Sequence, residues 1–489
     1  MVSSRVIFAV VFGLGVTSCA VGPNYQRPDL GEPERFRFGG GAAVSMGDLD
    51  WRSVYTDAAL RGLIEEALAN NLDLAEASAR VLRAQADLAV ARSAFFPFVG
   101  AGYDVSKTQV RTNLAPGVLD FSLGFDIQQN NVGVSLLQYE ADFWGKIRRA
   151  NEAARARLLA TEEGRRMVEV GLVAGLATAY LTLREQDFEL DIARRTLESR
   201  KKSLDLISTR QKGGQSAMTD VKQAEVLVAE AEAAIAESQR EIGQLENLIS
   251  FLVGRAPGSV RRGQSFGSVR LVTAPGSGLP SELLNRRPDV RAAEQALVAA
   301  TAAIGVAQAQ LLPSFTLTGA AGLRSREFSG LFDDPTRLWT LGPAVNVPVF
   351  AGGRLLAGIR GSKAARAEAE AGYRKQVLQA LREVSDALLA REKNAALHSA
   401  RGRVVKARQE ALGLIRERYD NGATSYLEVL YNDQELFGAE LGQARARLKE
   451  LLSIVELYRA LGGGWDRASV PAVSPRKRLI RDAEVGVTE

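Results

Sequence analysis

The segment VKQAEVLVAEAEAAIAESQREIGQLENLISFL, residues 221–252, repeats its apolar side chains every seven residues. Val221, Val228, Ile235, Ile242 and Ile249 occupy one position of the repeat. Ala224, Ala231, Leu245 and Leu252 occupy a second, with polar Ser238 as the exception. Two apolar positions per heptad form a seam that packs along another helix, and the alanines let the two backbones approach closely. The stretch before it, Lys146 to Lys212, reads as one helix of 67 residues. At 1.5 Å per residue that is roughly 100 Å, too long for an ordinary globular core, so it needs a partner along its length. Gly213-Gly214 turns the chain back and Gly254 ends the return helix. The unit is a long helical hairpin.

The pattern occurs twice. Asp73, Ala77, Ala86, Val90, Ala91 and Pro97 match Asp289, Ala293, Ala302, Val306, Ala307 and Pro313 at a constant offset of 216. Leu206, Ile207, Arg210, Gly214, Val221 and Gly254 match Leu414, Ile415, Arg418, Gly422, Val429 and Gly462 at 208. A period of about 210 residues is too long for ordinary solenoid repeats, so this is a duplication. The first repeat covers 57–254 and the second 281–462, with a Gly/Pro/Ser-rich linker at 255–280. Each opens with a helix, expected to run unbroken from Asp57 to Phe96 and from Ser281 to Leu312 and to stop at Pro97 or Pro313. In the second return helix the expected seam is Leu427, Leu441, Leu448 and Val455 with Leu430, Phe437, Ala444 and Leu451.

Between the opening helix and the hairpin each repeat carries two strands, expected at 98–106 and 131–140, then at 314–324 and 338–349. Val99, Ala101, Tyr103 and Val105 alternate with Gly100, Gly102, Asp104 and Ser106. Trp339, Leu341, Val345 and Val347 alternate with Thr340, Gly342, Ala344 and Asn346. Such period-two segments approach the length a tilted strand needs to span a membrane, with Phe95, Phe96, Phe98, Phe143, Trp144, Trp339 and Phe350 at their ends as a girdle would require. A closed barrel in lipid needs about eight strands or more, because an open edge leaves backbone groups unsatisfied there. Four strands per chain therefore suffice only in an oligomer.

The N-terminus gives an address. Arg5 precedes an apolar run, Val6 to Val16, that suits the core of a signal peptide and is too short to span a bilayer as a helix. Val16-Thr17-Ser18-Cys19 resembles the bacterial lipobox, which makes 1–18 the signal peptide and Cys19 the site of lipid attachment. Residues 19–56 then form a lipid-anchored extended segment, and 463–489 a disordered tail. With 62 basic and 57 acidic side chains interleaved along the chain, a net charge of +5 does not point to nucleic acid. A single His and a single Cys leave no Cys/His zinc site and no intramolecular disulfide within one chain. His398 follows Lys393-Asn394 in a polar helical stretch and reads as a surface residue. No catalytic, metal or cofactor constellation is apparent, so an enzyme is not expected.

The chain resembles the outer-membrane efflux channels of the TolC/OprM type, most closely their OprM or NodT branch. The resemblance rests on Cys19-Ala20-Val21-Gly22-Pro23-Asn24-Tyr25 with Pro28, on Trp51, Asp57, Leu60 and Asn71, and on Asp142-Phe143-Trp144-Gly145. It rests further on Pro348-Val349-Phe350 with Gly353-Arg354 and on Arg418-Tyr419 with Gly422. It implies a mainly α fold with membrane β: a periplasmic α-barrel and, in a homotrimer, a twelve-stranded β-barrel. It implies a passive export duct for drugs or other small toxic compounds, served by a periplasmic adaptor protein and an inner-membrane pump of the RND type. Ala20 after the lipidated cysteine fits sorting to the outer membrane. The alternative is a lipid-anchored adaptor or coiled-coil envelope spacer without a pore.

The resemblance also assigns sites. Gly213, Gly214, Gln215 and Ser216, and Asn421, Gly422, Ala423 and Thr424, match the tips where the adaptor docks. Tyr419 matches a tyrosine that helps hold the closed state, and Glu428 falls where some members carry an inward aspartate. Asp220 is its partner in the first repeat, and a ring of such carboxylates favours cations. Tyr431 stands where many members have a second acid, with Asp433 two positions away.

Overall fold

The computed structural model describes residues 20–31, 33–39, 45–114, 121–271, 278, 280–333 and 336–463. The signal peptide, Cys19 and the tail beyond 463 lie outside the described residues. The first repeat contains α1 (Ala58–Asn70), α2 (Leu72–Ser93), β1 (Phe98–Leu114), β2 (Phe121–Ala141), α3 (Lys146–Lys212) and α4 (Met218–Val253). The second contains α5 (Pro280–Arg286), α6 (Pro288–Ala309), β3 (Ser314–Ser325), β4 (Thr336–Asn346), α7 (Arg354–Asp420) and α8 (Tyr426–Ala460). Both long helices, α3 and α7, have 67 residues.

Compactness follows a different division from the repeats. One unit joins the N-terminal segment up to Asp29 to Leu82–Thr161 and Ala293–Tyr373, and so holds all four strands. The other joins Leu30–Val81, Glu162–Ala292 and the chain from Arg374 onward. Each draws on both repeats.

The opening helix of each repeat is broken, where the sequence suggested a continuous one. Asn71 leaves the helical backbone at φ −62°, ψ 133°, and its Oδ1 accepts from Leu74 N–H at 2.9 Å, capping α2. In the second repeat Pro288 follows Arg287 and disfavours helix at that residue. Asn71 and Arg287 are equivalent at the 216 offset, and both latch onto the last turn of their own hairpin. Asn71 Nδ2 donates to Leu252 O, and Arg287 Nη1 donates to Ala460 O, each at 2.9 Å. Gly254 and Gly462 beside them have φ of +83° and +99°. A Cβ on Gly254 would stand 2.4 Å from Asn70 O, so both the backbone angle and the close approach require glycine there.

In the first unit β1, β2, β3 and β4 pair antiparallel in that order, and β1 and β4 have no second neighbour among the described residues. β1 and β2 are longer than the sequence suggested. Apolar alternation fades after Val105, but the ladder continues through pairs such as Lys107↔Gln128 and Gln109↔Asp126. The register puts Val99, Tyr103 and Val105 on one face with Val134, Trp339 and Leu341, all exposed. The other face is small and polar. Gly102, Gly133 and Gly322 form one cross-strand row. Asp104, Asn131 and Arg324 form the next, joined by Asn131 Nδ2 to Asp104 Oδ2 at 2.8 Å and Arg324 Nε to Asn131 Oδ1 at 2.9 Å.

The N-terminal segment is strapped onto this unit. Arg149 Nη2 donates to Gly22 O at 3.2 Å and to Asn24 Oδ1 at 2.7 Å. Tyr25 Oη and Arg27 Nε both donate to Glu294 Oε1, at 2.9 and 2.8 Å. Gly22, at φ +103°, crosses α6 so closely that a Cβ would lie 2.4 Å from Gly305 Cα. Asp142 caps α3 by accepting from Ile147 and Arg148 N–H, and Trp144 Nε1 donates to Pro313 O at 2.7 Å.

The second unit holds the main core, with Tyr55, Leu60, Leu176, Tyr180, Leu183, Ile249, Val384 and Val455 among its buried side chains. By length and composition α3 and α6 each contain a window apolar enough to cross a membrane. In α3, Leu176, Tyr180, Leu181 and Leu183 are instead fully buried in this protein core. The described part of the linker also packs into it through Val260, Phe266 and Val269. The heptad seam of α4 is buried at Val221, Ala224, Ala231, Ser238 and Ile249, with Leu227 added. In α8, Leu430, Phe437, Ala444 and Leu451 are buried as the sequence suggested. Leu427 is exposed, because the seam enters α8 through Tyr426, Val429 and Leu430, the face next to it.

Candidate functional site

Both hairpin tips belong to the second unit, and their backbones are the same. In the first, Gly214 N–H donates to Gln211 O at 2.9 Å and Gln215 N–H to Arg210 O at 2.8 Å. In the second, Gly422 N–H donates to Tyr419 O at 2.9 Å and Ala423 N–H to Arg418 O at 2.8 Å. These are the two bonds of a Schellman helix end, whose closing residue must take positive φ. Gly214 and Gly422 take +73° and +72°. Gly213, opposite Asn421, is outside the left-handed region and has no such requirement. Gly213, Gly214, Gln215, Asn421, Gly422 and Ala423 are exposed, and Ser216 and Thr424 half-buried.

The side chains around the two tips differ. Asp220 Oδ2 accepts from Ala217 N–H at 3.3 Å, so this carboxylate also caps α4. Glu428, its equivalent, is exposed, and so is Tyr431. Tyr419 is half-buried between the hairpins. Its Oη accepts from Arg210 Nη1 at 2.5 Å, the same guanidinium lies 5.1 Å from its ring centroid, and the Tyr426 ring is 5.2 Å away. Burial pushes the Tyr426 phenol up. Ile207, Val221, Ala224, Leu412, Val429 and Leu430 pack the apolar layer beneath.

Asp433 is held inward. Arg200, almost fully buried, places Nε 2.9 Å from Asp433 Oδ2 and donates through Nη1 to Leu227 O at 2.7 Å and through Nη2 to Gln434 Oε1 at 2.6 Å. Its guanidinium also lies 5.0 Å from the Phe437 centroid. A buried guanidinium is tolerable only when paired and hydrogen-bonded, and this arrangement supplies both. Arg416 reaches the other oxygen of Asp433 at 3.4 Å. The sequence reading missed Arg200, Arg210 and Tyr426. For Arg200 a signal existed: the 208 offset pairs it with Arg408, which holds Glu435 at 2.7 Å.

Farther along α3, Glu185 and Glu189 are both buried. Arg445 Nε donates to Glu189 Oε1 at 2.8 Å. Burial first, and then the neighbouring Glu189, push Glu185 up to about 8. Among the described residues no group of three or more His, Cys, Asp or Glu could hold a metal ion.

The two hairpin tips in the second unit, and in the first an amphipathic four-stranded sheet whose outer strands have no second neighbour among the described residues, are the elements of a channel-forming envelope protein. The comparisons agree. The family model "Outer membrane efflux protein" matches residues 63–255 and 279–463. Similar proteins include the probable efflux pump outer membrane protein SepC of Pseudomonas putida F1, 34% identical over 94% of this chain and 97% of that protein. Another is the outer membrane protein OprJ of Pseudomonas aeruginosa, 33% identical over 94% and 96%. The open state of the MtrE outer membrane channel of Neisseria gonorrhoeae superposes with a TM-score of 0.83 at 30% identity, covering 92% of this chain and 99% of that one. The chain belongs to the outer membrane efflux protein family. It is an outer-membrane efflux channel, with a large periplasmic portion.

Proposed function

We propose that the chain works as a homotrimer, lipid-anchored through Cys19, that passively exports drugs or other small toxic compounds delivered by a periplasmic adaptor and an RND-type inner-membrane pump. The observation that carries this is the four-stranded sheet, apolar on one face, small and polar on the other, with β1 and β4 unpaired outward among the described residues. Three copies joined edge to edge give twelve strands, satisfy every edge and turn the apolar faces to lipid. The N-terminal strap holds the chain next to the lipid attachment site, and the repeats 57–254 and 281–462 each contribute one hairpin and two strands to the assembly.

In this reading the adaptor docks on Gly213–Ser216 and Asn421–Thr424, whose exposed turns face away from their own hairpins. Asp220, Tyr419, Glu428 and Tyr431 line the periplasmic aperture. The Arg210–Tyr419 hydrogen bond ties one hairpin to the other and favours the narrow state. The name of SepC, a probable efflux pump outer membrane protein, points to efflux-pump partnership, and the RND assignment is carried over from the resemblance.

The test is native mass spectrometry and electron microscopy of the mature protein in detergent, followed by conductance in planar bilayers. A three-fold particle with a detergent belt is expected, with a conductance that rises in Arg210→Ala. A monomer, or a particle without a belt, refutes the barrel. A trimer whose conductance is indifferent to Arg210→Ala refutes the aperture assignment alone.

A further inference from the structure

A cavity of about 620 Å³ opens in the second unit between α3, the linker segment, α7 and α8. It is within the size range of sites for small organic ligands. His398, read from the sequence as a surface residue, lines this cavity and is only partly exposed. Its Nδ1 lies 2.8 Å from Glu450 Oε2, and Arg447 Nη1 reaches the same oxygen at 2.7 Å. Arg447 Nη2 is committed to Val269 O at 2.8 Å. The one carboxylate lining the cavity is thus engaged by two basic side chains.

Arg270 completes the lining, and its guanidinium has no hydrogen-bond or ion-pair partner among the described residues. Its backbone is nevertheless fixed: Thr56 Oγ1 donates to Arg270 O at 2.7 Å, and Leu271 bridges Tyr55. An anchored backbone therefore presents at the cavity a guanidinium that has no partner among the described residues. Part of the lining is aromatic. Phe266 is buried, Phe188 is partly exposed, and their ring centroids are 5.7 Å apart.

The duplication shows that the fold does not require this polar set. At the 208 offset His398, Arg447 and Glu450 correspond to Leu190, Gln239 and Ile242. Leu190 is buried and Ile242 packs on the core. Where the second repeat lines the cavity with an imidazole, a guanidinium and a carboxylate, the first has two apolar side chains and one neutral amide.

We propose that this cavity binds an amphipathic organic anion, an aromatic carboxylate whose ring lies against Phe188 and Phe266 and whose carboxylate pairs with Arg270. Guanidinium and carboxylate match as a two-pronged hydrogen-bonding pair, and the phenyl wall accepts a flat ring. The site lies away from the hairpin tips and does not depend on the aperture or docking assignments.

The test is isothermal titration of 1-naphthoate into the purified full-length protein in detergent, with 1-naphthylmethanol as the uncharged counterpart. One saturable site per chain is expected, with the alcohol weaker by about tenfold or more, the effect of losing a charge-assisted hydrogen bond. Arg270→Gln is expected to lower the affinity for 1-naphthoate by about the same factor without shifting the melting temperature, because the side chain it removes has no partner among the described residues. Arg270→Lys retains the charge but not the two-pronged geometry, so its affinity falls between those of Arg270→Gln and the native protein. Phe188→Ala weakens binding of both probes. Equal binding of acid and alcohol, no change in Arg270→Gln, or no saturable heat up to millimolar probe overturns the assignment.

Discussion

The two repeats fasten their opening helix to their hairpin with the same bond made by different residues. In the first, a neutral amide, Asn71, reaches Leu252 O. In the second, a guanidinium, Arg287, reaches Ala460 O and also holds Asp289 at 2.5 Å and Glu383 at 2.8 Å. Burial works against ionising Asp289, but the hydrogen bond and charge of Arg287 outweigh it and hold that carboxyl below its ordinary value. The difference teaches that duplication preserved a backbone requirement, a carbonyl in the last helical turn that needs a donor, while the chemistry of the donor was free to change. It also makes the second latch more vulnerable, because removing its donor strands two carboxylates.

The largest expected effect follows directly. Arg287→Ala should cost about 3–5 kcal/mol, the range for breaking a buried ion pair, and Asn71→Ala only about 1–2 kcal/mol for a lost cap and hydrogen bond. Thermal or denaturant unfolding of the two variants measures the gap. Equal losses would mean that the charges around Arg287 relax into water and that the two latches are energetically the same.

The glycines next to the latches sharpen the contrast in the opposite sense. A Cβ at Gly254 meets Asn70 O at 2.4 Å, whereas one at Gly462 first meets Arg286 at 3.4 Å. Gly254→Ala should therefore cost about 2 kcal/mol or more, and Gly462→Ala closer to 1 kcal/mol, mainly from the positive φ. Melting temperatures that fall equally would show that backbone angle alone decides both positions.

A smaller effect concerns pH. Glu185 and Glu189 are buried in the first repeat, where the second has Lys393 and Leu397 at the 208 offset. Glu185 is raised from about 4.5 to about 8, so the folded protein retains a proton that the unfolded chain has released. Its contribution to stability is complete below the unfolded value and is lost as pH rises from about 4.5 to about 8. Glu185→Gln should flatten the fall in melting temperature across that window, and its advantage over the native protein should be greater at pH 8 than at pH 5. A parallel pair of curves would show that Glu185 ionises without cost. Lys393→Gln, in the other repeat, should leave the curve unchanged because that side chain is exposed.

The smallest expected effect lies at the tips. Asp220 is partly occupied with Ala217 N–H, and Glu428 is exposed in the matching turn. Glu428→Gln should reduce cation selectivity in planar bilayers by a larger factor than Asp220→Asn. The latter should lower helix stability by about 0.5–1 kcal/mol at most. Reversed effects on selectivity would assign the aperture charge to the first repeat.

What the sequence revealed was local. The heptads of α4, the stops at Pro97 and Pro313 and the turns at Gly214 and Gly422 each depend on residues within a few positions of one another. The hidden features depend on distant partners. The break at Asn71 needs Leu252, and the pairing of Arg200 needs Asp433. Leu427 fits a heptad on paper, but its neighbour Tyr426 takes the buried place in the first turn. The far halves of β1 and β2 lack apolar alternation, so only their ladder reveals them. At the candidate site the glycines were legible and the Arg210–Tyr419 bond was not, since it joins residues of different repeats.

The strap at the N-terminus has a consequence for the order of assembly. Tyr25 and Arg27 grip Glu294, which lies 269 and 267 positions later in the chain, and Gly22 can seat only against Gly305. A chain exported from its N-terminus presents the strap long before its receptor has been delivered. The N-terminal end must therefore wait, unfastened, until the second repeat has begun to fold. Closure of the strap marks a chain that has arrived at least as far as α6, and a truncated product lacking that helix would be left with a loose end where the complete protein has a clasp.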